Sequence, residues 1–417
     1  MKRLLCSVFI LLMGVLSGRE NVDKHQIFIK CNKKSHRYSI GEKINFEITS
    51  NRCKKALAII TLDGGKVLQR QEISLPATLS VTHNEPGFVR CMVSSKKITS
   101  YCGVAVEPEK LKPYIPKPAD FDEFWDNALK KFRELPVDLK VTSRPSFEGY
   151  DIYLLDCANV NGKRAYAMLS IPQKREGKVP LLVKFGGGEA ILTERGFCNQ
   201  AVQTGKILKR PSATLYFHLP PYPPVKDPKD KNKKHKKFLK EIGGLKRYIF
   251  IGMDTRETCY GYSAIAGCLR LLNAAAERPE IDKNNIIYIG ASHGGSFGIY
   301  LAACSNLIKA AFCGVPSFCD YAAFTGGRKS AEAKDSTKYW KNFMYFDCAY
   351  FADRIKIPIF CTAGFIDLSC PPSGIYAMYN QIKSPKKMYD KIQHGHADVP
   401  QGYYSEVNKW LRSHLTQ

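Results

Sequence analysis

Asn285-Ile286-Ile287-Tyr288-Ile289-Gly290-Ala291-Ser292-His293-Gly294-Gly295 decides the fold. The first five residues are largely apolar, as in a strand buried on both faces. The helical stretch Phe297 to Cys304 follows the glycines. A serine in the pattern G-x-S-x-G, set between a buried strand and a helix, sits on a sharp turn that lifts its hydroxyl clear of the sheet. Gly290 and Gly294 let strand and helix approach closely around Ser292, which reads as a nucleophile at a helix N-terminus.

Outward from this turn, strands and helices alternate. Pro180-Leu181-Leu182-Val183-Lys184-Phe185 and Ile357-Pro358-Ile359-Phe360-Cys361-Thr362 read as further buried strands, with Pro358 near the start of its strand. Glu257 to Glu277 reads as a long helix between two strands. Asp120 through Leu135 reads as a helix with Phe121, Phe124, Trp125, Leu129 and Phe132 on one face. The alternation predicts an α/β domain with a mostly parallel sheet over 120–417.

Upstream the periodicity changes. Ile27–Lys30, Ile44–Ile48, Leu57–Leu62 and Phe88–Val93 are short β-rich runs, separated by turns such as Asp63-Gly64-Gly65 and Glu85-Pro86-Gly87. They predict a small all-β domain over 20–107, an immunoglobulin-like sandwich without the Cys-Trp-Cys signature. Prolines at 108, 113, 116 and 118 mark a linker over 108–119. Residues 1–18 (Lys2 and Arg3, then an apolar run to Leu16, then Ser17 and Gly18) have the three-part pattern of a signal peptide. Export, periplasmic or secreted, is therefore expected, with no membrane attachment after cleavage.

The chain has 417 residues, with 63 Lys plus Arg against 38 Asp plus Glu, a formal charge of +25. Such a field favours anionic partners. Export argues against nucleic acid, and the lysine-rich stretch Lys226–Lys240 lacks the arginine and aromatic interleaving of a nucleic-acid surface. That stretch, within a segment 220–247 that begins at a proline cluster, reads as a solvated insertion loop or a docking surface for an acidic polymer. Fifteen cysteines are many for a cytosolic protein. Bridges are expected among Cys31, Cys53, Cys91 and Cys102, while Cys304, Cys313 and Cys361 read as small buried hydrophobes. No CxxC or HExxH occurs, so spacing supports no metal site, and His394 with His396 makes only a weak metal signal.

A serine nucleophile needs a base, and the base needs an orienting acid. Asp367 lies just past the end of the strand Ile357–Thr362, where open α/β sheets place their sites. The run Met388 to Gln393 leads to His394-Gly395-His396, which offers two candidate bases. Backbone donors for a developing oxyanion are the N–H of His293 and one from Phe185-Gly186-Gly187-Gly188-Glu189, where glycines leave N–H groups unobstructed; Gly188 is the candidate.

With these residues in place, the large domain resembles the acetyl xylan esterase/cephalosporin C deacetylase family of α/β-hydrolases. The matching pieces are Asp120-Phe121-Asp122-Glu123-Phe124-Trp125, the turn Gly290–Gly295, Val315-Pro316, and Gly364-Phe365-Ile366-Asp367 running into Cys370-Pro371-Pro372-Ser373. The resemblance covers roughly Pro118 to the C-terminus and implies the triad Ser292, Asp367 and His396, the histidine that follows a glycine and precedes an acidic residue in the family. Here Gly395-His396-Ala397 matches only the first half. The family's elbow carries Gln where this chain has His293, and its oxyanion loop carries His-Gly-Tyr where this chain has Gly186-Gly187-Gly188. The β-rich domain and the lysine-rich segment are additions to the simplest members, which form ring-like oligomers.

The activity expected is a serine carboxylesterase that removes O-acetyl groups from an oligo- or polysaccharide, with no cofactor or metal required. An acidic glycan would suit the positive charge. Two alternatives stand beside it: a serine peptidase of prolyl-oligopeptidase type, and a glycan-binding protein on a hydrolase scaffold.

Overall fold

A computed structural model describes residues 26–416 apart from 97, 246 and 330–336. The signal-peptide reading of 1–18 lies outside the described residues.

The N-terminal strands are β1 (Ile27–Cys31), β2 (Arg37–Tyr38), β3 (Lys43–Ser50), β4 (Lys55–Leu62), β5 (Val67–Ser74), β6 (Ala77–Thr82), β7 (Gly87–Ser95) and β8 (Ile98–Val106). They form two sheets, ordered β1-β3-β6 and β2-β8-β7-β4-β5. Alternate residues of each strand face inward, as the two-residue period of a strand requires. Ile44, Phe46 and Ile48 of one sheet thus meet Ala58, Ile60, Val89 and Val93 of the other in one buried core. This is the expected sandwich.

The helix α1 (Phe121–Glu134) buries Phe121, Trp125, Ala128 and Phe132, spaced four, three and four residues apart along one face. Strands β9 (Lys140–Phe147), β10 (Tyr150–Ala158), β11 (Arg164–Pro172), β12 (Val179–Phe185), β13 (Ala213–His218), β14 (Ile281–Ala291), β15 (Ala310–Gly314), β16 (Ile359–Gly364) and β17 (Lys386–Lys391) build one nine-stranded sheet. Its order is β17-β16-β15-β14-β12-β13-β11-β10-β9. β13, β12, β14, β15, β16 and β17 are mutually parallel, and β11, β10 and β9 are added antiparallel. Successive residues of the parallel strands enter different cores. Ile286 and Tyr288 pack under α4 (Tyr260–Ala276) and α5 (His293–Cys304), while Ile287 packs under Leu208 of α2 (Glu194–Leu208) and under Val407 and Leu411 of the terminal helix Tyr403–Arg412. Burial on both faces explains why these strands read as continuous apolar runs.

Three expectations are corrected. The lysine-rich loop is a helix, α3 (Pro228–Glu241), started by the Asp227 side chain, which accepts from Lys229 N, and by Pro228 in the first turn. His235 and Leu239, four apart, bury its inner face, so the lysines are the outer face of an amphipathic helix. Pro358 lies just before β16 rather than inside it, since a parallel inner strand cannot spare the N–H. No disulfide joins the described cysteines. Cys313 and Cys361 are buried as read, whereas Cys304 is half-buried.

The sandwich is fused to the α/β domain by a third core, in which Phe88 and Ala105 meet Phe365, Cys370, Ile375 and Tyr376. Phe88 stacks edge-on against Phe365 at 5.1 Å. At the centre of this seam Arg90, fully buried, donates through Nη2 to Asp63 Oδ1 (3.0 Å) and to the backbone carbonyl of Asp367 (2.7 Å). Asp63 in turn accepts from the hydroxyl and N–H of Ser373. Arg90→Met leaves the Asp63 carboxylate buried without its cation. Breaking such a pair from one side costs about 3–5 kcal/mol, which a urea-unfolding midpoint with unchanged slope reads out. A loss under about 1 kcal/mol would contradict this account of the seam.

Candidate active site

Ser292 joins β14 to α5 with φ 59° and ψ −121°, a left-handed conformation that a serine adopts only when its surroundings impose it. Its N–H donates to the Gly314 carbonyl (2.8 Å) and its carbonyl accepts from Ser317 N (3.1 Å), so the adjoining strand β15 grips the turn. A Cβ at Gly294 would lie 2.3 Å from the Phe185 carbonyl, and one at Gly290 would lie 2.5 Å from the Gly294 carbonyl. Both positions therefore admit only glycine. The pattern G-x-S-x-G is thus a packing requirement of strands β12 and β14 against α5.

Asp367 follows β16 and is fully buried. Its Oδ1 accepts from the N–H groups of Ser369 (2.7 Å) and Cys370 (2.9 Å), which leaves Oδ2 to accept from His396 Nδ1 at 2.8 Å. His396 stands in the loop after β17, which Lys391 Nζ holds through the carbonyls of Gly395 (2.9 Å) and His396 (3.2 Å). With the proton on Nδ1 facing a carboxylate, Nε2 keeps its lone pair. His394 is directed elsewhere, since its Nδ1 donates to the Ile392 carbonyl at 2.6 Å. The structure therefore pairs His396, not His394, with Asp367.

The glycine loop after β12 lies over the serine. A Cβ at Gly187 would come within 3.5 Å of Ser292 Cβ, and Gly188 takes φ +61°. The His293 side chain holds this loop: its Nδ1 donates to the Gly188 carbonyl at 2.5 Å and its Nε2 accepts from the Tyr260 hydroxyl at 3.0 Å. A carbonyl can only accept, so the tautomer is fixed. Burial pushes the imidazole down to about 4, which keeps it neutral. As first residue of α5, His293 also has a backbone N–H without an intrahelical acceptor, directed out of the helix N-terminus.

The next residue of that loop, Glu189, is anchored by α3. Its Oε2 meets His235 Nε2 at 2.6 Å, its Oε1 accepts from Tyr248 N, and His235 Nδ1 meets the Tyr222 hydroxyl at 2.9 Å. Burial alone would raise the Glu189 carboxyl. The bond and charge of His235 outweigh it and hold the group below its usual range. Sequence reasoning assigned His293 only a backbone role and missed Arg90, Glu189 and His235. An arginine inside the apolar run Phe88-Val89-Arg90-Cys91 is the one signal that marks such a residue in advance.

The acetyl xylan esterase (AXE1) family model matches residues 105–205 and 227–414, more than half of the chain. The chain belongs to the acetyl xylan esterase family. The acetyl esterase Axe7A of Xylanibacter ruminicola is 25% identical over 345 residues, 80% of this chain and 76% of that protein. Two solved acetyl xylan esterases share the fold. The one from Paenibacillus sp. R4 superposes with a TM-score of 0.62 at 22% identity, covering 74% of this chain and 99% of its own. The one from Thermoanaerobacterium sp. JW/SL YS485 gives 0.61 at 20% identity, covering 74% and 98%. Membership of the acetyl xylan esterase family makes this protein a carbohydrate esterase, on an α/β-hydrolase fold.

The His293 contact generates a pH dependence. A histidine held at about 4 in the fold, against an ordinary 6.5, contributes stability that is present above 6.5 and lost as pH falls through about 4. His293→Gln carries no such group. The stability advantage of wild type over the variant is expected to shrink by on the order of 2–3 kcal/mol between pH 7.5 and pH 4, measured by urea unfolding at each pH. A gap independent of pH would contradict the neutral, buried imidazole.

Proposed function

We propose that the protein is a serine carboxylesterase that removes O-acetyl groups from carbohydrates through Ser292, His396 and Asp367. The observation that carries this reading is the His396 Nδ1 to Asp367 Oδ2 bond at 2.8 Å on the same edge of the sheet as a strained Ser292. His396 Nε2 takes the hydroxyl proton as Ser292 Oγ attacks the acetyl carbonyl. The backbone N–H groups of His293 and Gly188 receive the oxyanion, in a loop already held by the His293 ring, so little reorganisation is needed as charge develops. His396 then protonates the departing sugar hydroxyl. Water, deprotonated by the same nitrogen, attacks the acetyl-serine ester, and acetate leaves with Ser292 restored. No step in this cycle calls on a metal or cofactor.

The substrate is an acetylated oligo- or polysaccharide, and the position of α3 supports an acidic one. Lys233, Lys234 and Lys237 line a surface depression with Tyr222, Val225, Phe238 and the carboxylates Asp230 and Glu241, the last 3.8 Å from Lys237 Nζ, and α3 hangs on the oxyanion loop through His235 and Glu189. Aromatic side chains beside three lysines against two carboxylates leave a net positive rim, which suits a sugar ring bearing a carboxylate. The apolar leader at 1–18 supports action outside the cytoplasm, where such glycans occur.

The test is acetate release by wild type and Ser292→Ala from an aryl acetate, from neutral acetylated xylan and from glucuronate-bearing acetylated xylan. Release is expected from all three and abolished by the substitution. Added salt is expected to depress kcat/KM on the acidic xylan alone. No release by folded wild type would overturn the esterase reading, and cleavage of a proline-containing peptide amide instead would favour a peptidase. Equal salt sensitivity on both xylans would remove the acidic substrate and leave the esterase standing.

A further inference from the structure

Cys31, His36 and Cys102 all belong to the sandwich, and their ligand atoms all stand within 4.8 Å of one another. Cys31 ends β1, His36 precedes β2, and Cys102 reaches them from β8, 71 residues beyond Cys31 in the chain. The three side chains are arranged for coordination in two further respects. His36 Nδ1 donates to the Gly103 carbonyl at 2.9 Å, which fixes the tautomer and leaves Nε2 with its lone pair. Gln393 Nε2 donates to Cys102 Sγ at 3.0 Å, the kind of outer bond that orients a ligating thiolate. The sulfur of Cys102 is buried, while Cys31 and His36 are half-buried, so an ion can enter from solvent.

We propose that Cys31, His36 and Cys102 form a binding site for a thiophilic divalent cation, Zn²⁺, at the joint between the sandwich and the catalytic domain. Zn–S bonds of about 2.3 Å and Zn–N bonds of about 2.0–2.1 Å, at tetrahedral angles, put the donor atoms roughly 3.5–3.9 Å apart. The observed grouping requires little movement to reach that. Two thiolates and an imidazole nitrogen are the soft and borderline donors that zinc selects. The thiol protons leave to solvent on binding, and water completes the fourth position. Gln393 also accepts from Gly103 N at 3.4 Å and begins the loop that carries His396. The ion therefore ties the sandwich to that loop through Gln393.

The site is tested on the full protein, purified reduced and metal-free, by titration with Co²⁺ as a spectroscopic probe and then Zn²⁺. One equivalent of Co²⁺ is expected, with sulfur-to-cobalt charge-transfer and tetrahedral visible bands that Zn²⁺ abolishes, and Zn²⁺ is expected to raise Tm. Cys31→Ser and His36→Gln are expected to weaken binding at least tenfold and remove the Tm shift. Cys53→Ser, a half-buried cysteine of the same domain outside the cluster, is expected to behave as wild type. The proposal is overturned by any of three results. These are no uptake by folded wild type, uptake unchanged in both cluster variants, or a Cys31–Cys102 disulfide in the protein as isolated from its own compartment.

Discussion

The backbone of Ser292 is the constraint on which the site depends. A serine at φ 59° costs about 1–3 kcal/mol and persists only where the surrounding structure over-determines it. Here β15 takes its N–H, Ser317 takes its carbonyl, and the spacing of β12 and β14 leaves no room for a side chain at Gly290 or Gly294. The parallel sheet is therefore the device that holds one hydroxyl out at the N-terminus of α5. The loops that carry Asp367 and His396 follow β16 and β17, the second and third strands outward from β14, so the same parallel register that holds the serine turn also brings both residues to its edge of the sheet.

The N-terminal sandwich takes part in that arrangement. Arg90 bonds the carbonyl of Asp367, Asp63 bonds Ser373, and Gly103 lies against the Phe365 carbonyl so closely that a Cβ would come within 2.2 Å. The loop that presents the acid is thus clamped between two domains. Gln393 does the same for the loop that presents the base. His235 and Glu189 fasten a basic helix to the glycine loop after β12. Each loop of the proposed site is anchored to a separate piece of scaffold, and in the proposed mechanism this preorganises it for charge development.

Much of this was legible in the sequence, because the features concerned are local. A strand, a glycine-bounded serine and a helix are contiguous, and so is an aspartate one turn past a buried strand. The choice between His394 and His396 was not local. Both flank Gly395 in one loop, and only the ring that reaches Asp367, 29 residues away, decides it. Arg90 and Asp367 are 277 residues apart, and Cys31 and Cys102 meet only when β1 and β8 come together. Neither contact leaves a spacing motif. The helix α3 was hidden for a different reason. Its lysine content masked a buried stripe of only His235 and Leu239, too short to stand out against so much charge.

The central claim is that the sheet and the His396–Asp367 pair together make Ser292 the nucleophile. The most direct measurement is labelling with a fluorophosphonate, followed by peptide mass spectrometry, on wild type, His396→Ala and His394→Ala. One adduct is expected, on the peptide carrying Ser292. Its rate should fall by about a thousandfold or more in His396→Ala and stay unchanged in His394→Ala. Labelling of another residue, or an equal rate in His396→Ala, would contradict the account.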